Sequence, residues 1–320
     1  MSLYRQNLPQ LQPAGGLFLT EGGLETSLIY DDGLELPHFA SFDLLKDAEG
    51  TERLRRYYLR FAEMAAERGL GAVFETPTWR ANADWGARLG YDAAALADVN
   101  RRAVDLLVGV REAMRGRTDV PFVVSGNLGP RGDGYVPSAL MNADEARRYH
   151  GAQIATFAGT EADLAAVFTM NYVEEAIGVA LAARDHGMPV VVSFTLETDG
   201  RLPSGATLAE AIEATDAATG GFPAYYMINC AHPSHFERVL EDRGAWTQRL
   251  GGVRANASRR SHAELDAATE LDPGDPQALG QDYVRLREVM PRLRVVGGCC
   301  GTDHRHLEAI CRALLAVPSA

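Results

Sequence analysis

Residues 164–195 read LAAVFTMNYVEEAIGVALAARDHGMPVVVSFT. Leu164–Thr169 and Val190–Thr195 are short and nearly continuous in apolar residues. Strands buried on both faces look like this. Val173–His186 between them fits a helix, so the stretch is one strand–helix–strand unit. Such alternation implies a parallel sheet.

The same alternation extends in both directions. Further candidate strands are Gly16–Thr20, Ala72–Glu75, Phe122–Ser125, Tyr225–Asn229, Gly252–Asn256 and Arg294–Gly298. Leu54, Tyr58, Phe61 and Ala65 recur at helical spacing, and Gly69 follows as a stop. Asp92 can cap a helix to about Met114; Asn142 with Glu145, and Thr207 with Glu210, read as capping boxes. Pro233–Leu240, Pro276–Val289 and His304–Leu315 complete the set. Eight strands alternating with about eight helices favour an α/β chain closed as a single (β/α)8 TIM barrel, residues 16–320, behind an N-terminal extension, residues 1–15. The alternative is an open doubly wound sheet, but no Gly-x-Gly-x-x-Gly follows the first strand. Long non-helical stretches at Ser125–Met141, Leu196–Ala206 and Ala257–Asp275 all follow strands. In a barrel they stand at the C-terminal mouth, where active sites sit.

Of 320 residues, 31 are Lys or Arg and 43 Asp or Glu, a formal net charge of −12, and 46% are hydrophobic. That supports a packed core and argues against nucleic acid as a partner. No apolar run approaches the roughly 20 residues of a membrane helix, and Met1–Gly15 has no apolar signal core. The expected protein is soluble and cytoplasmic, with small-molecule partners and no membrane contact; a homo-oligomer is left open.

Four cysteines are too few for a disulfide scaffold. Cys230 ends the sixth candidate strand, and Cys299-Cys300 follow the eighth. Far apart in sequence, they meet only if a barrel brings both strand ends to one mouth. Three thiolates with an open position describe a catalytic zinc site, able to hold an incoming thiol as thiolate. The competing reading is three small buried hydrophobes. Cys311, inside the last helix, reads as core.

Gly297-Gly298-Cys299-Cys300-Gly301-Thr302, Asn229-Cys230 and Glu21-Gly22-Gly23-Leu24-Glu25-Thr26 resemble the three signatures of the homocysteine S-methyltransferase family, and the resemblance runs from about Leu17 to Leu314. It implies a zinc-dependent barrel with Cys230, Cys299 and Cys300 as metal ligands. It implies methyl transfer from a small onium donor (S-methylmethionine, betaine or S-adenosylmethionine) to a thiol, expected to be homocysteine, giving methionine. Two departures stand out. Glu21 replaces the usual Asp, with Glu25 where a small residue is usual. Phe168 stands where the family has a Glu that helps hold the amino-acid part of homocysteine.

The expected substrate-binding residues are Glu21, Gly22, Gly23, Glu25, Thr26, Asn229 and Glu197. Gly22-Gly23 could offer N–H groups to a carboxylate. Glu21, Glu25 or Glu197 could replace the acid lost at Phe168, with Glu21 favoured. Arg80, after Thr76 and Thr78, suits a substrate carboxylate or a surface ion pair. Trp79 and Trp85 could face an onium donor. Asp199 reads as a turn, and His232 and His235 as loop residues or a fourth ligand. Three alternatives compete: a non-catalytic or regulatory zinc or thiol-binding barrel, a methyltransferase for a different thiol acceptor, and a thiol redox protein.

Overall fold

The computed structural model describes residues 1–13, 15–138 and 140–316. Eight strands close into one parallel barrel in sequence order: β1 Phe18–Leu19, β2 Gly71–Glu75, β3 Phe122–Leu128, β4 Leu164–Met170, β5 Val190–Phe194, β6 Tyr225–Asn229, β7 Leu250–Ala255 and β8 Val295–Gly298. β8 pairs back onto β1, Phe18 beside Val295, so the sheet has no free edge. The outer helices are α1 Ala48–Glu67, α2 Ala93–Met114, α3 Ala143–Ala158, α4 Val173–Asp185, α5 Leu208–Thr219, α6 Pro233–Leu240, α7 Pro276–Val289 and α8 His304–Ala316.

Local chemistry sets the helix starts. Asn142 and Thr207 form the capping boxes expected of them, and the Asp92 side chain accepts the Ala95 N–H. Three details depart from the sequence reading. β3 runs on to Leu128, so the loop after it starts at Gly129. The first strand shrinks to two residues. His262–Asp266 forms a short helix under a Ser261–Glu264 capping box, in a stretch expected to be non-helical. That box is a local signal, but five residues are too few to show apolar periodicity.

Side chains alternate in and out along each strand. Phe18, Val73, Val123, Ala166, Val191, Met227 and Val295 form one buried apolar cluster filling the barrel. Two residues further along the same faces the character changes. Glu75, Ser125, Ser193 and Asn229 are all at most 3% exposed, and Arg254 is 8% exposed. The barrel is therefore apolar below and polar at its top layer, and that layer is the floor of the mouth.

The N-terminal segment plugs the opposite end. Arg5 donates to the carbonyls of Ala158, Thr160 and Ala162, and Leu8 joins the interior cluster. Asp163 ties it down. Its Oδ1 accepts the Tyr4 N–H at 2.8 Å, and its Oδ2 accepts the Val124 N–H at 2.9 Å and Arg111 at 3.2 Å. Asp163→Ala leaves the buried Arg111 with only the half-exposed Glu161 carboxylate at 3.6 Å, so it should cost about 2–3 kcal/mol. Urea denaturation measures this, and amide exchange at Tyr4 should quicken.

Candidate active site

Cys230 leaves β6 and Cys299-Cys300 leave β8, and barrel closure brings the three sulfurs within 4.8 Å of one another. Cys230 and Cys299 are paired as a disulfide with Cα atoms 5.5 Å apart; Cys300 is a free thiol. The sequence reading expected the cysteines to meet but did not anticipate this pairing. The donor set fits zinc. Sulfurs on one zinc at about 2.3 Å stand roughly 3.8 Å apart, within the 4.8 Å that spans this cluster. Burial pushes the Cys300 thiol up to about 11, offset in part by a hydrogen bond with the Tyr135 hydroxyl, 3.9 Å from its sulfur.

The loops that carry the cysteines interlock. Gly23 donates its N–H to the Thr302 carbonyl at 2.9 Å, and Thr302 Oγ1 donates to the Cys299 carbonyl at 2.6 Å. A Cβ on Gly23 would collide with the Cys299 carbonyl oxygen, and one on Gly298 with the Thr302 side chain. Gly23 thus lets the loops after β1 and β8 touch, while Gly298 lets Thr302 fold back against its own strand end. Gly301 donates to Thr26 Oγ1 at 3.2 Å. Gly22 lines the cavity; Gly23 has already committed its N–H.

Cys230 sits at φ 52° and Thr169 at φ 63°, a region costly for residues with a Cβ and most of all for a β-branched one. Asn229 holds the second. Its Oδ1 accepts the Thr169 N–H at 2.9 Å and the Ser193 hydroxyl at 2.7 Å, and its Nδ2 donates to Thr169 Oγ1 at 3.0 Å. Asn229 therefore fastens the tops of β4, β5 and β6 beside Cys230.

One cavity at the mouth is lined by Glu21, Gly22, Gly23, Glu25, Thr26, Asn229 and the three clustered cysteines, together with Glu75, Thr76, Trp79, Tyr135, Phe168 and Arg254. Glu197 is not among its lining residues. Glu21, expected to be a free acid, meets an internal cation instead: Arg254 Nη1 lies 2.7 Å from its Oε1. Burial pushes the Glu21 carboxyl above the usual range while Arg254 pulls it back. Glu25 Oε1 accepts the Ser41 hydroxyl at 2.7 Å. Phe168 packs over the Arg254 guanidinium, 5.2 Å from ring centroid to Cζ.

Two floor residues were missed as site residues. Glu75 and Arg254 each fell inside an apolar candidate strand. A charge within a run meant to be buried on both faces is the signal that could have found them. Burial, then the Glu21 charge, pushes the Glu75 carboxyl up to about 8, against a smaller pull from Arg254. Its Oε2 has no hydrogen-bond partner.

A second cavity shares Thr26, Phe39, Trp79, Tyr135 and Cys300 with the first and runs outward past Asp133, His262, Asp266, Glu270 and Asp272. Arg80 borders it, its guanidinium 4.0 Å from the Trp79 ring and 3.9 Å from the Trp85 ring. Trp85 also carries Arg88 at 4.1 Å and lines neither cavity. Its expected onium role passes to internal arginines. Thr76 and Thr78 bond each other at 2.6 Å. His232 caps α6 and His235 meets the Arg259 carbonyl; neither joins the sulfur cluster.

The chain matches the homocysteine S-methyltransferase family over residues 18–314. No curated protein sequence matches it. Among solved structures, the metallated form of the homocysteine methyltransferase MmuM from Escherichia coli superposes with a TM-score of 0.74 at 20% identity, covering 93% of this chain and 96% of that one. The oxidised form of the same protein gives 0.76 at 21%, covering 97% and 99%. At these identities the likeness shows the fold.

The floor geometry generates two expectations. Arg254→Met should cost about 3–5 kcal/mol by stranding the Glu21 carboxylate, and adding Glu21→Gln should recover most of that loss; urea denaturation of the double-mutant cycle tests it. Glu75 has a folded-state pKa above its unfolded value. The folded state therefore keeps a proton that the unfolded state sheds, and stability drains away as pH rises from about 4.5 to 8. Glu75→Gln should accordingly stabilise the protein by roughly 2–4 kcal/mol at pH 8 and by little at pH 5.

Proposed function

This chain belongs to the homocysteine S-methyltransferase family, and from that premise we propose that it is a zinc-dependent enzyme that moves a methyl group from a small onium donor to the thiol of homocysteine, giving methionine. The observation that carries this reading is the gathering of three cysteine sulfurs at the floor of one barrel-mouth cavity. Cys230, Cys299 and Cys300 would hold the metal, and bound zinc would lower the pKa of a thiol on its open position, so that no separate base is needed.

The chain's own residues do the rest. Asn229 and the interlocked glycine loops keep the cysteines in place. Phe168, Trp79 and Tyr135 give the cavity apolar walls that exclude water from an attacking sulfur. The outer cavity opens onto the same Cys300; a donor held there would approach the acceptor sulfur from the solvent side, and orienting the two reactants is where much of the rate gain of such a transfer arises. Four carboxyl residues, Asp133, Asp266, Glu270 and Asp272, line it against the single arginine Arg80. That balance favours a positively charged donor such as S-methylmethionine, betaine or S-adenosylmethionine.

The disulfide favours one competing reading, a thiol redox protein. Reduced protein separates the two. On our reading it takes up one zinc per chain; Cys230→Ser, Cys299→Ser and Cys300→Ser each lose most metal and activity, and Cys311→Ser keeps both. X-ray absorption at the zinc edge should show three sulfur ligands becoming four when homocysteine is added. A donor-by-acceptor transfer screen then identifies the donor. Full zinc in the triple Ser variant, or an unchanged metal shell at saturating homocysteine, would sink the assignment.

A further inference from the structure

The floor of the cavity holds two carboxyl groups, Glu21 and Glu75, and one guanidinium, Arg254. Arg254 is fully engaged. It pairs with Glu21, donates from Nε to the Gly298 carbonyl at 3.0 Å, and donates from Nη2 to the Gly22 carbonyl at 3.2 Å. Glu21 is engaged too, since its Oε2 accepts the Glu75 N–H at 3.4 Å. Glu75 is 3% exposed and lines the cavity, and its Oε2 meets no donor. Glu25 is half-buried at the rim and bonded to Ser41. Glu75 is thus the floor acid with no ion-pair partner among the described residues and with an oxygen that no donor meets, its carboxyl near the Ser125 hydroxyl, and Phe168 leaves β4 without an acid at the mouth.

We infer that Glu75 receives the ammonium of an amino-acid thiol acceptor, so that recognition of the charged amino group sits at the end of β2. The inference rests on the acceptor reading above. β2 lies two strands from β8 around the wall, about 10 Å at ordinary strand spacing. An acceptor whose sulfur and nitrogen are four bonds apart, about 5 Å, spans that gap together with the contact distance between its sulfur and the cysteine cluster. Charge closes as well. Before the acceptor arrives, a protonated Glu75 leaves the Glu21–Arg254 pair neutral overall. When the ammonium arrives, Glu75 gives its proton to solvent and the floor is neutral again.

The titratable groups facing Glu75 are Glu21 and Glu25 from the segment after β1, Tyr58 of α1, Tyr225 of β6, which burial holds as a neutral phenol, and Arg254 of β7. Burial holds Tyr58 as a neutral phenol, and the neighbouring acids hold Arg254 charged. Glu21 and Glu25 are carboxyls that could also release a proton, so the variants must separate them from Glu75.

The test compares homocysteine with 4-mercaptobutyrate, the same thiol acid without the amino group, by calorimetry on reduced, zinc-loaded protein in buffers of different ionisation enthalpy. We expect the parent to bind homocysteine tenfold to a hundredfold more tightly and to release close to one additional proton at pH 7. Glu75→Gln should bring homocysteine down to the 4-mercaptobutyrate level and abolish the additional proton. Unchanged 4-mercaptobutyrate binding shows that this variant is folded. Glu25→Gln should keep most of the preference. Equal proton release for both thiols in the parent, a preference surviving in Glu75→Gln, or a preference lost only in Glu25→Gln overturns the assignment of Glu75. If the parent binds neither thiol, the acceptor reading falls, and this inference with it.

Discussion

The buried guanidinium of Arg254 is the contact on which the mouth of this barrel depends. It rises from β7 into the polar top layer and reaches the Glu21 carboxylate, the Gly22 carbonyl after β1 and the Gly298 carbonyl at the end of β8. Its own backbone carbonyl accepts the Cys230 N–H at 3.1 Å. One residue therefore joins the segment that carries Glu21 to those that carry all three clustered cysteines. A buried charge of this kind is tolerated only when paired and hydrogen-bonded, and here both conditions hold. Relaxing the floor would leave an uncompensated buried charge, which opposes its opening.

Above that floor the cavity combines acids with aromatic walls, a pairing suited to cations. Glu21, Glu25 and Glu75 all have carboxyl groups raised by burial; Glu21 already faces Arg254, and a positive group arriving beside Glu25 or Glu75 would favour their ionised forms. Two of the aromatic rings that could have faced a ligand cation instead bracket Arg80. The mouth thus contains its own internal cations where the sequence suggested room for external ones, and the remaining negative charge lies toward the outer cavity.

The cysteine cluster has two chemical states available to one geometry. Paired as a disulfide, Cys230 and Cys299 leave Cys300 as the free thiol. Reduced, the same three sulfurs form a soft donor set suited to zinc. Since metal binding needs thiolates, zinc and oxidant compete for the same atoms. The contacts of the interlocked glycine loops run through backbone carbonyls and not through the sulfurs.

The barrel was legible in the sequence because its signals are local. Apolar runs, helical spacing and capping boxes such as Asn142–Glu145 each act within a few residues, and their strict alternation leaves few topologies. The cysteines were legible too, since strand ends in a closed barrel share one mouth. What only the tertiary structure decided are the partnerships across that mouth. Glu21 and Arg254 are more than two hundred residues apart and read as a free acid and an anonymous strand residue. Closure of β8 onto β1 brings them together, which removes Glu21 from the acids open to a ligand and leaves Glu75 as the floor acid without an ion pair. The pairing of Cys230 with Cys299, and the stacking of Arg80 on two indoles, arise the same way. Residue types and spacing determine which groups reach the mouth, but a charge or a sulfur acts according to its nearest neighbour, and distant segments supply that neighbour only when the barrel closes.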